Sequence, residues 1–258
     1  AEPGLCIKAT AGTLSELQTP GNWPDSKPDA CSTVRALERN IRKMKAILLD
    51  LDGTIINSEE GITKCVQYAL KSFGIDEPDR TKLLCFIGPP LDPVFRGKYG
   101  FDAKKAWAAV GKYRERFDRE GIFECELYDG IAELIRKLKE KGYVIALASS
   151  KPETACRRIL EHFSLTSYFD MIVGSTLDGR ISTKQEVLEE LGRRMEHLNI
   201  PKEEMCLIGD TAYDVVGANQ FGIRCVGVTY GFGTREQLQK AGAYRICDSV
   251  EEIGKLFL

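Results

Sequence analysis

Two aspartates, Asp50 and Asp52, follow the apolar run 47–49 and precede Gly53. An apolar run bounded by turn residues is typical of a buried strand in a parallel sheet. Ligands of open α/β sheets bind at the carboxyl ends of such strands. Two carboxylates this close repel each other, and a hard divalent cation with a preference for oxygen ligands relieves that repulsion. The spacing therefore predicts a cation site, with an ordinary Asp-Gly turn as the alternative.

Later segments place further polar side chains where predicted strands end or helices begin. These are Ser149, Lys184, Asp210 and Asp214. Ser149 and Asp210 each follow an apolar run, and the carboxyl ends of parallel strands share one edge of a sheet. We therefore expect these groups to converge on Asp50. Taken singly, each has a structural alternative as a turn residue, a helix cap, a first-turn charge or a solvated lysine.

The hydrophobic pattern divides the chain into a helical part and an alternating part. Residues 58–127 carry helical periodicity, interrupted by a rigid loop at 86–91. Within them, one apolar stripe expected in the core contains Trp107, Val110, Tyr113 and Phe117. From residue 129 onward, helical and strand patterns alternate, including a strand expected over 143–148 and a helix expected over 214–221. This order predicts an α/β fold with a parallel sheet, helices on both faces and an all-helical insertion after the first strand. We expect residues 44–57 and 128–258 to form the core.

The first 43 residues differ from the rest. They contain four of the ten prolines and show no clear period. We expect an N-terminal extension, flexible or foreign to the folded unit, with a short helix over 35–43. The folded unit is expected to start at Met44.

Composition excludes several functional classes. A net charge of −2 argues against a broad grip on a nucleic-acid polymer or an acidic membrane. The nine cysteines include no C-x-x-C pair, which suits reduced thiols in a cytoplasmic protein. No apolar stretch approaches 18 residues, so no membrane helix is expected. The two histidines leave little material for a Ser-His-Asp triad or a histidine-rich metal site. The oligomeric expectation is a monomer or a homodimer.

Four motifs in this order resemble those of the haloacid dehalogenase superfamily. They are 50–54 (Asp-Leu-Asp-Gly-Thr), 147–152 (Leu-Ala-Ser-Ser-Lys-Pro), Lys184 within 182–187, and 208–214 (Ile-Gly-Asp-Thr-Ala-Tyr-Asp). The first and last are specific, and the resemblance covers about residues 44–258. It implies a Rossmann-like core, with residues 58–127 as the small mobile helical cap of that superfamily.

Two further segments resemble the phosphoglycolate phosphatase-like branch, which includes 5'-nucleotidases. Residues 86–91 resemble the cap loop of that branch, and 174–180 resemble the segment before its lysine. The resemblance makes Gly88 and Pro89 candidate substrate-binding residues. Ser150 is another, because main-chain N–H groups at that turn can cradle a phosphate.

The resemblance also implies roles for the motif residues. Asp50 would attack phosphorus to form an aspartyl-phosphate, and Asp52 would act as general acid and base. Mg²⁺ would be bound by Asp50, the main-chain carbonyl of Asp52 and Asp210.

The remaining motif residues receive supporting roles on the same ground. Ser149 would hydrogen-bond the phosphoryl group, and Lys184 would neutralise charge beside the nucleophile. Asp214 would orient that lysine or a metal-bound water. The predicted function is a Mg²⁺-dependent phosphomonoester hydrolase acting on a small phosphorylated metabolite, either phosphoglycolate or a nucleoside 5'-monophosphate.

Three other functions occur as alternatives on the same fold. A dehalogenase would need neither Asp52 nor Mg²⁺. A hexose-phosphate mutase typically carries a cap histidine, and residues 58–127 contain none. A non-catalytic binding protein would not need the full set of motif residues. Clustering of Asp50, Asp52, Lys184 and Asp210 around one cleft would favour the enzyme.

Overall fold

The protein is described here by a computed structural model that covers Ile41 and residues 43–258. The predicted extension over 1–43 and the short helix over 35–43 lie outside the described part of the chain, except for Ile41 and residue 43.

A parallel sheet forms the centre of the fold, and β1 lies in its middle. In chain order the strands are β1 (Ala46–Leu49), β2 (Ile56–Asn57), β3 (Glu126–Leu127), β4 (Val144–Pro152), β5 (Met171–Ser175), β6 (Met205–Gly209), β7 (Arg224–Val228) and β8 (Arg245–Cys247). Six of them form one sheet in the order β5-β4-β1-β6-β7-β8, and every neighbouring pair is parallel. The predicted α/β fold with a parallel sheet is confirmed.

Helices follow most of the strands. They are α1 (Glu59–Lys71), α2 (Leu91–Tyr99), α3 (Ala103–Arg116), α4 (Ile131–Glu140), α5 (Glu153–His162), α6 (Lys184–Met195), α7 (Ala212–Phe221), α8 (Arg235–Ala241) and α9 (Val250–Phe257). A 3₁₀ segment over Arg80–Phe86 precedes α2, and a π-helical turn over Phe117–Gly121 extends α3.

The central strand β1 is apolar throughout, so its side chains are buried on both faces of the sheet. Ile47 and Leu49 point to one side, where α4, α5 and α9 pack. Ala46 and Leu48 point to the other, where α6, α7 and α8 pack. The alternation of side chains along a strand sends successive residues into these two cores. Sheet order and two-sided burial therefore hold the carboxyl end of β1 at the middle of the domain.

The helical insertion (residues 58–127) contains α1, α2, α3 and the two irregular turns. Its interior is aromatic: Phe86 packs on Phe95 with ring centroids 4.7 Å apart, and Phe95 stacks on Phe101 at 6.0 Å. The insertion joins the core through a two-stranded antiparallel ribbon. In this ribbon Ile56 of β2 pairs with Leu127 of β3.

Some predicted boundaries and one predicted core residue are wrong. Trp107 was expected in the apolar stripe of α3, but its surface is 58% exposed. The helix expected from Asp214 begins at Ala212, since the Asp214 carboxylate accepts hydrogen bonds from the N–H and hydroxyl of Thr211. The strand expected to end at Ala148 continues to Pro152, because β4 pairs with β5 up to that residue.

The described residues contain no helix long and apolar enough to cross a membrane. Among these residues, the free thiols include Cys65, Cys125, Cys156, Cys206, Cys225 and Cys247.

The buried centre of β1 generates a stability prediction. Leu48 is fully buried, so Leu48→Ala removes packed atoms and leaves a cavity that should lower the free energy of unfolding by about 2–5 kcal/mol. Urea unfolding followed by circular dichroism measures this change. Leu177→Ala is the matched control, because Leu177 is 58% exposed and its loss should cost less than about 0.5 kcal/mol. Equal losses in the two variants would contradict the central position of β1.

Candidate active site

Asp50 lies immediately after β1, between the ends of β4 and β6. Its backbone N–H donates to the carbonyl of Ile208 at 2.9 Å, which continues the pairing of β1 with β6. Its residue surface is 7% exposed. The sheet therefore fixes the backbone of Asp50 and leaves its carboxylate at the carboxyl edge.

Lys184 is the cation of the site. Its Nζ donates to Asp50 Oδ1 at 2.7 Å and to the carbonyl of Ala148 at 2.8 Å, and it lies 2.7 Å from Asp214 Oδ1. These partners use all three ammonium protons. Gly217 of α7 makes room for the lysine, because a Cβ there would lie 2.7 Å from the Lys184 Cβ. Lys184 is thus held rigidly beside Asp50.

Asp214 uses both carboxylate oxygens on protein partners. Oδ1 pairs with Lys184, and Oδ2 accepts from the Thr211 N–H at 3.0 Å and the Thr211 hydroxyl at 2.7 Å. The arrangement suits a carboxylate that orients the lysine and leaves it little capacity to bind a metal.

Asp210 follows β6 and is completely buried. Its Oδ2 accepts from the backbone N–H of Phe232 at 2.7 Å. Its Oδ1 is buried without a hydrogen-bond partner among the described residues. An unpaired carboxylate oxygen in the interior is costly, so it indicates a missing partner.

Glycines bring the backbone close to Asp210. Gly53 has a φ of +84°, which other residues rarely adopt, and a Cβ there would lie 2.0 Å from Asp210 Oδ2. A Cβ on Gly231 would lie 2.5 Å from the Asp210 Cβ. Larger residues at either position would displace the carboxylate.

The carboxylates of Asp50, Asp210 and Asp214 lie within 4.8 Å of one another, with one atom of each considered. Burial raises the pKa of Asp50 to about 6, although Lys184 opposes the rise. Burial, followed by repulsion from Asp214 and Asp50, also raises the pKa of Asp210 well above its ordinary value. Burial lowers the pKa of Lys184, but Asp214 and Asp50 outweigh it and leave that pKa raised. The cluster thus contains three carboxylates and one ammonium, that of Lys184.

This donor set fits a hard divalent cation. Asp210 Oδ1 has no hydrogen-bond partner within the described part of the chain, Asp50 lies beside it, and the local charge is negative. Mg²⁺ prefers carboxylate and carbonyl oxygens and is bound through one or two carboxylates with waters and phosphate oxygens. Asp50 and Asp210 are the residues that could hold it.

The Asp52 carboxylate points to a different partner. Lys151 Nζ donates to Asp52 Oδ1 at 2.6 Å and to Oδ2 at 2.8 Å. Both side chains are largely buried. Of the four residues expected to cluster, the structure thus brings Asp50, Lys184 and Asp210 together, and Asp52 lies beside them in an ion pair of its own.

The other predicted residues lie near the same edge with fewer contacts. The Ser149 side chain is buried and accepts from the backbone N–H of Lys151 at 3.3 Å. Ser150 is half-buried in β4. A Cβ placed on Gly88 would lie 3.8 Å from the Thr211 side chain, so this loop of the insertion reaches the fourth motif. Pro89 next to it is half-buried.

Two features of the site are not predicted from the sequence. Lys151 lies inside the second motif but is given no role there, although a charged residue two positions after Ser149 is a readable signal. The segment 230–233 follows β7 and supplies the Phe232 N–H to Asp210. Its signal is the position at the carboxyl end of another parallel strand, where site residues gather.

Residues 47–228 match the model of the family described as haloacid dehalogenase-like hydrolase. The chain belongs to this family. The match spans more than half of the 258 residues and includes all four motifs. The resemblance found in the sequence is confirmed.

Several proteins similar to this chain are named as phosphatases. A 5'-nucleotidase from Pseudomonas aeruginosa is 44% identical over 193 residues, which are 75% of this chain and 86% of that protein. The crystal structure of a predicted phosphatase from Clostridium acetobutylicum is 46% identical and has a TM-score of 0.77, with 82% of this chain and 97% of that one covered. The pyrophosphatase PpaX from Bacillus mycoides is 29% identical and covers 82% of this chain and 95% of its own. The chain is a phosphatase of this superfamily.

The raised pKa of Asp50 predicts how stability depends on pH in metal-free protein. Between about pH 4 and 6 the folded state keeps a proton that the unfolded chain, with a pKa of 3.8, has released. Stability therefore falls as pH rises through this window. Asp50→Asn removes the penalty and should raise the free energy of unfolding at pH 7.5 by about 1–3 kcal/mol, with a smaller gain at pH 4.

Urea unfolding in the presence of a chelator measures this gain. Asp118→Asn is the control, because that carboxylate is exposed and does not belong to the buried cluster. A loss of stability in Asp50→Asn at pH 7.5 would contradict the picture of excess buried negative charge.

Proposed function

We propose that the protein is a Mg²⁺-dependent phosphomonoester hydrolase that works through an aspartyl-phosphate on Asp50. The observation that carries the proposal is the set of contacts around Asp50: Lys184 donates to its carboxylate, and Asp210 presents an unpaired oxygen beside it. Phosphoryl transfer depends mainly on positioning and on stabilising charge at the phosphoryl oxygens. A carboxylate, an ammonium and a cation site at one rigid strand end supply those needs.

In the first step, an Asp50 carboxylate oxygen attacks phosphorus and the bond to the leaving alkoxide breaks. The protonated form of Asp52 donates its proton to the leaving oxygen, so an alcohol departs. Lys184 stabilises the negative charge beside the nucleophile, and the Ser149 hydroxyl donates a hydrogen bond to the phosphoryl group. The products of this step are the alcohol, the phosphorylated Asp50 and an ionised Asp52.

In the second step, Asp52 takes a proton from water, and the hydroxide attacks the phosphorus of the aspartyl-phosphate. The bond between phosphorus and Asp50 breaks, which releases inorganic phosphate and restores both aspartates. When bound by Asp50, Asp210 and the carbonyl of Asp52, Mg²⁺ neutralises charge on the phosphoryl oxygens.

The substrate is a small phosphorylated metabolite, with nucleoside 5'-monophosphates first and phosphoglycolate second. The order follows the Pseudomonas aeruginosa relative, which is a 5'-nucleotidase. The helical insertion serves as the cap that excludes water and contacts the leaving group. Gly88 and Pro89 are the substrate-reading positions, a role supported by the closeness of Gly88 to Thr211.

A hydrolase is favoured over the phosphomutase alternative. The mutase reading expects a cap histidine soon after the first motif, and residues 58–127 contain none. The lack of that histidine favours water over a sugar hydroxyl as the acceptor of the phosphoryl group.

A panel of phosphomonoesters with Mg²⁺ tests the proposal by release of inorganic phosphate. The wild type should hydrolyse at least one nucleoside 5'-monophosphate or phosphoglycolate, and Asp50→Asn should abolish turnover because an amide cannot attack phosphorus. Asp52→Asn should lower kcat about 10²–10⁴-fold, the usual contribution of general acid–base catalysis.

Mass spectrometry of acid-quenched protein tests the intermediate. Phosphate should be found on Asp50 of the wild type and released by hydroxylamine, the usual behaviour of an acyl phosphate. Undiminished turnover in Asp50→Asn would refute the mechanism. Asp118→Asn, an exposed aspartate of the insertion, should keep wild-type turnover.

A further inference from the structure

Lys151 joins the proposed acid–base residue to the helical insertion. Its Nζ donates to both oxygens of Asp52, at 2.6 and 2.8 Å. The same Nζ lies 5.1 Å from the ring centroid of Phe117, within the range of a cation–π contact. Phe117 begins the π-helical turn of the insertion, whereas Asp52 and Lys151 belong to the core. One ammonium thus touches both parts of the molecule beside the site.

The surroundings hold Lys151 in this place. Its side chain is 7% exposed, and that of Asp52 is 12% exposed. Phe117 stacks on Tyr113, with centroids 5.4 Å apart and planes inclined by 15°. A lysine side chain that is this enclosed has lost most of the freedom that weakens an exposed ion pair.

A second contact holds the same π-helical turn against the core. Arg158 of α5 donates to the carbonyl of Asp118 at 2.9 Å and lies 5.4 Å from the ring centroid of Phe123. Arg158 therefore docks the insertion through Asp118 and Phe123 rather than through Asp52. Arg158 and Lys151 thus differ: both contact the insertion, but only Lys151 also contacts the Asp52 carboxylate.

We propose that Lys151 is a positioning residue: clamped between Phe117 and Asp52, it holds the Asp52 carboxylate in its catalytic orientation when the insertion is docked. The inference rests on the proposed function, since it concerns the orientation of the residue that moves the proton. A carboxylate held at both oxygens has one orientation, and misplacement of a catalytic group by about 1 Å can cost about 10²-fold in rate. Lys151 makes the rate depend on whether the insertion is in contact with the core.

The test is a double-mutant cycle between Lys151 and Asp52, with p-nitrophenyl phosphate and Mg²⁺. Lys151→Met should lower kcat about 10- to 100-fold, while KM stays within about threefold, because the residue acts on Asp52 and not on the substrate. In the Asp52→Asn background, the same substitution should change kcat less than about twofold. Lys151→Arg, which keeps the charge, should retain most of kcat.

Two outcomes would overturn the assignment. If Lys151→Met raised KM and left kcat unchanged, the lysine would be a substrate-binding residue. If its effect on kcat were equally large in the Asp52→Asn background, Lys151 would act independently of Asp52.

Folding and docking need their own controls. Removal of one partner of a buried ion pair can destabilise a protein, so circular dichroism of each variant is required. The cycle needs both single variants, so Lys151→Gln replaces Lys151→Met in every arm if K151M folds poorly. Arg158→Met weakens docking but leaves the Lys151–Asp52 ion pair, so it should lower kcat less than Lys151→Met does. An equal loss that also disappears in the Asp52→Asn background would assign the effect to docking alone. Absence of Mg²⁺-dependent turnover in the wild type would reject the proposed function itself, whereas an active wild type with unchanged kcat in Lys151→Met rejects only the role of Lys151.

Discussion

Three buried carboxylates lie beside one lysine at the carboxyl edge of the sheet, and this excess of negative charge determines how the rest of the site is arranged. Asp50, Asp210 and Asp214 lie within 4.8 Å of one another, and Lys184 contacts two of them. Such a cluster costs free energy when no cation is bound. The fold must hold it together, which explains why each carboxylate follows a buried strand or caps a helix. Burial and repulsion suit the site to bind a cation and an anionic phosphoryl group together.

Close backbone packing is the second condition for this site. Gly53 and Gly231 bring two loops against Asp210 where any side chain would collide with it. The Phe232 N–H then fixes one oxygen of Asp210 and leaves the other unpaired. The orientation of the Asp210 carboxylate therefore comes from main-chain atoms, which are less mobile than side chains.

Much of this arrangement is readable from the sequence, since strand ends have a strong signal. The fully apolar β1 predicts a buried parallel strand, and the carboxyl-edge rule then brings Asp210 and Lys184 to Asp50. The pairing of Lys151 with Asp52 is not readable, because it depends on side-chain direction and on the position of an insertion that periodicity cannot place. Trp107 shows the same limit: helical spacing puts it on an apolar stripe, but the neighbouring segments leave it exposed.

The β2–β3 ribbon makes the two connections of the helical insertion neighbours in space. Ile56 pairs directly with Leu127, so the chain leaves the core and returns to it at one point, a few residues after Asp52. The insertion consequently interrupts no strand or helix of the core. Surface loops accept inserted domains for the same reason. An insertion of another length could occupy this junction and leave the strand ends that carry Asp50 and Asp210 in place. The ribbon thus makes the geometry of the sheet edge independent of the length of the chain inserted beside it.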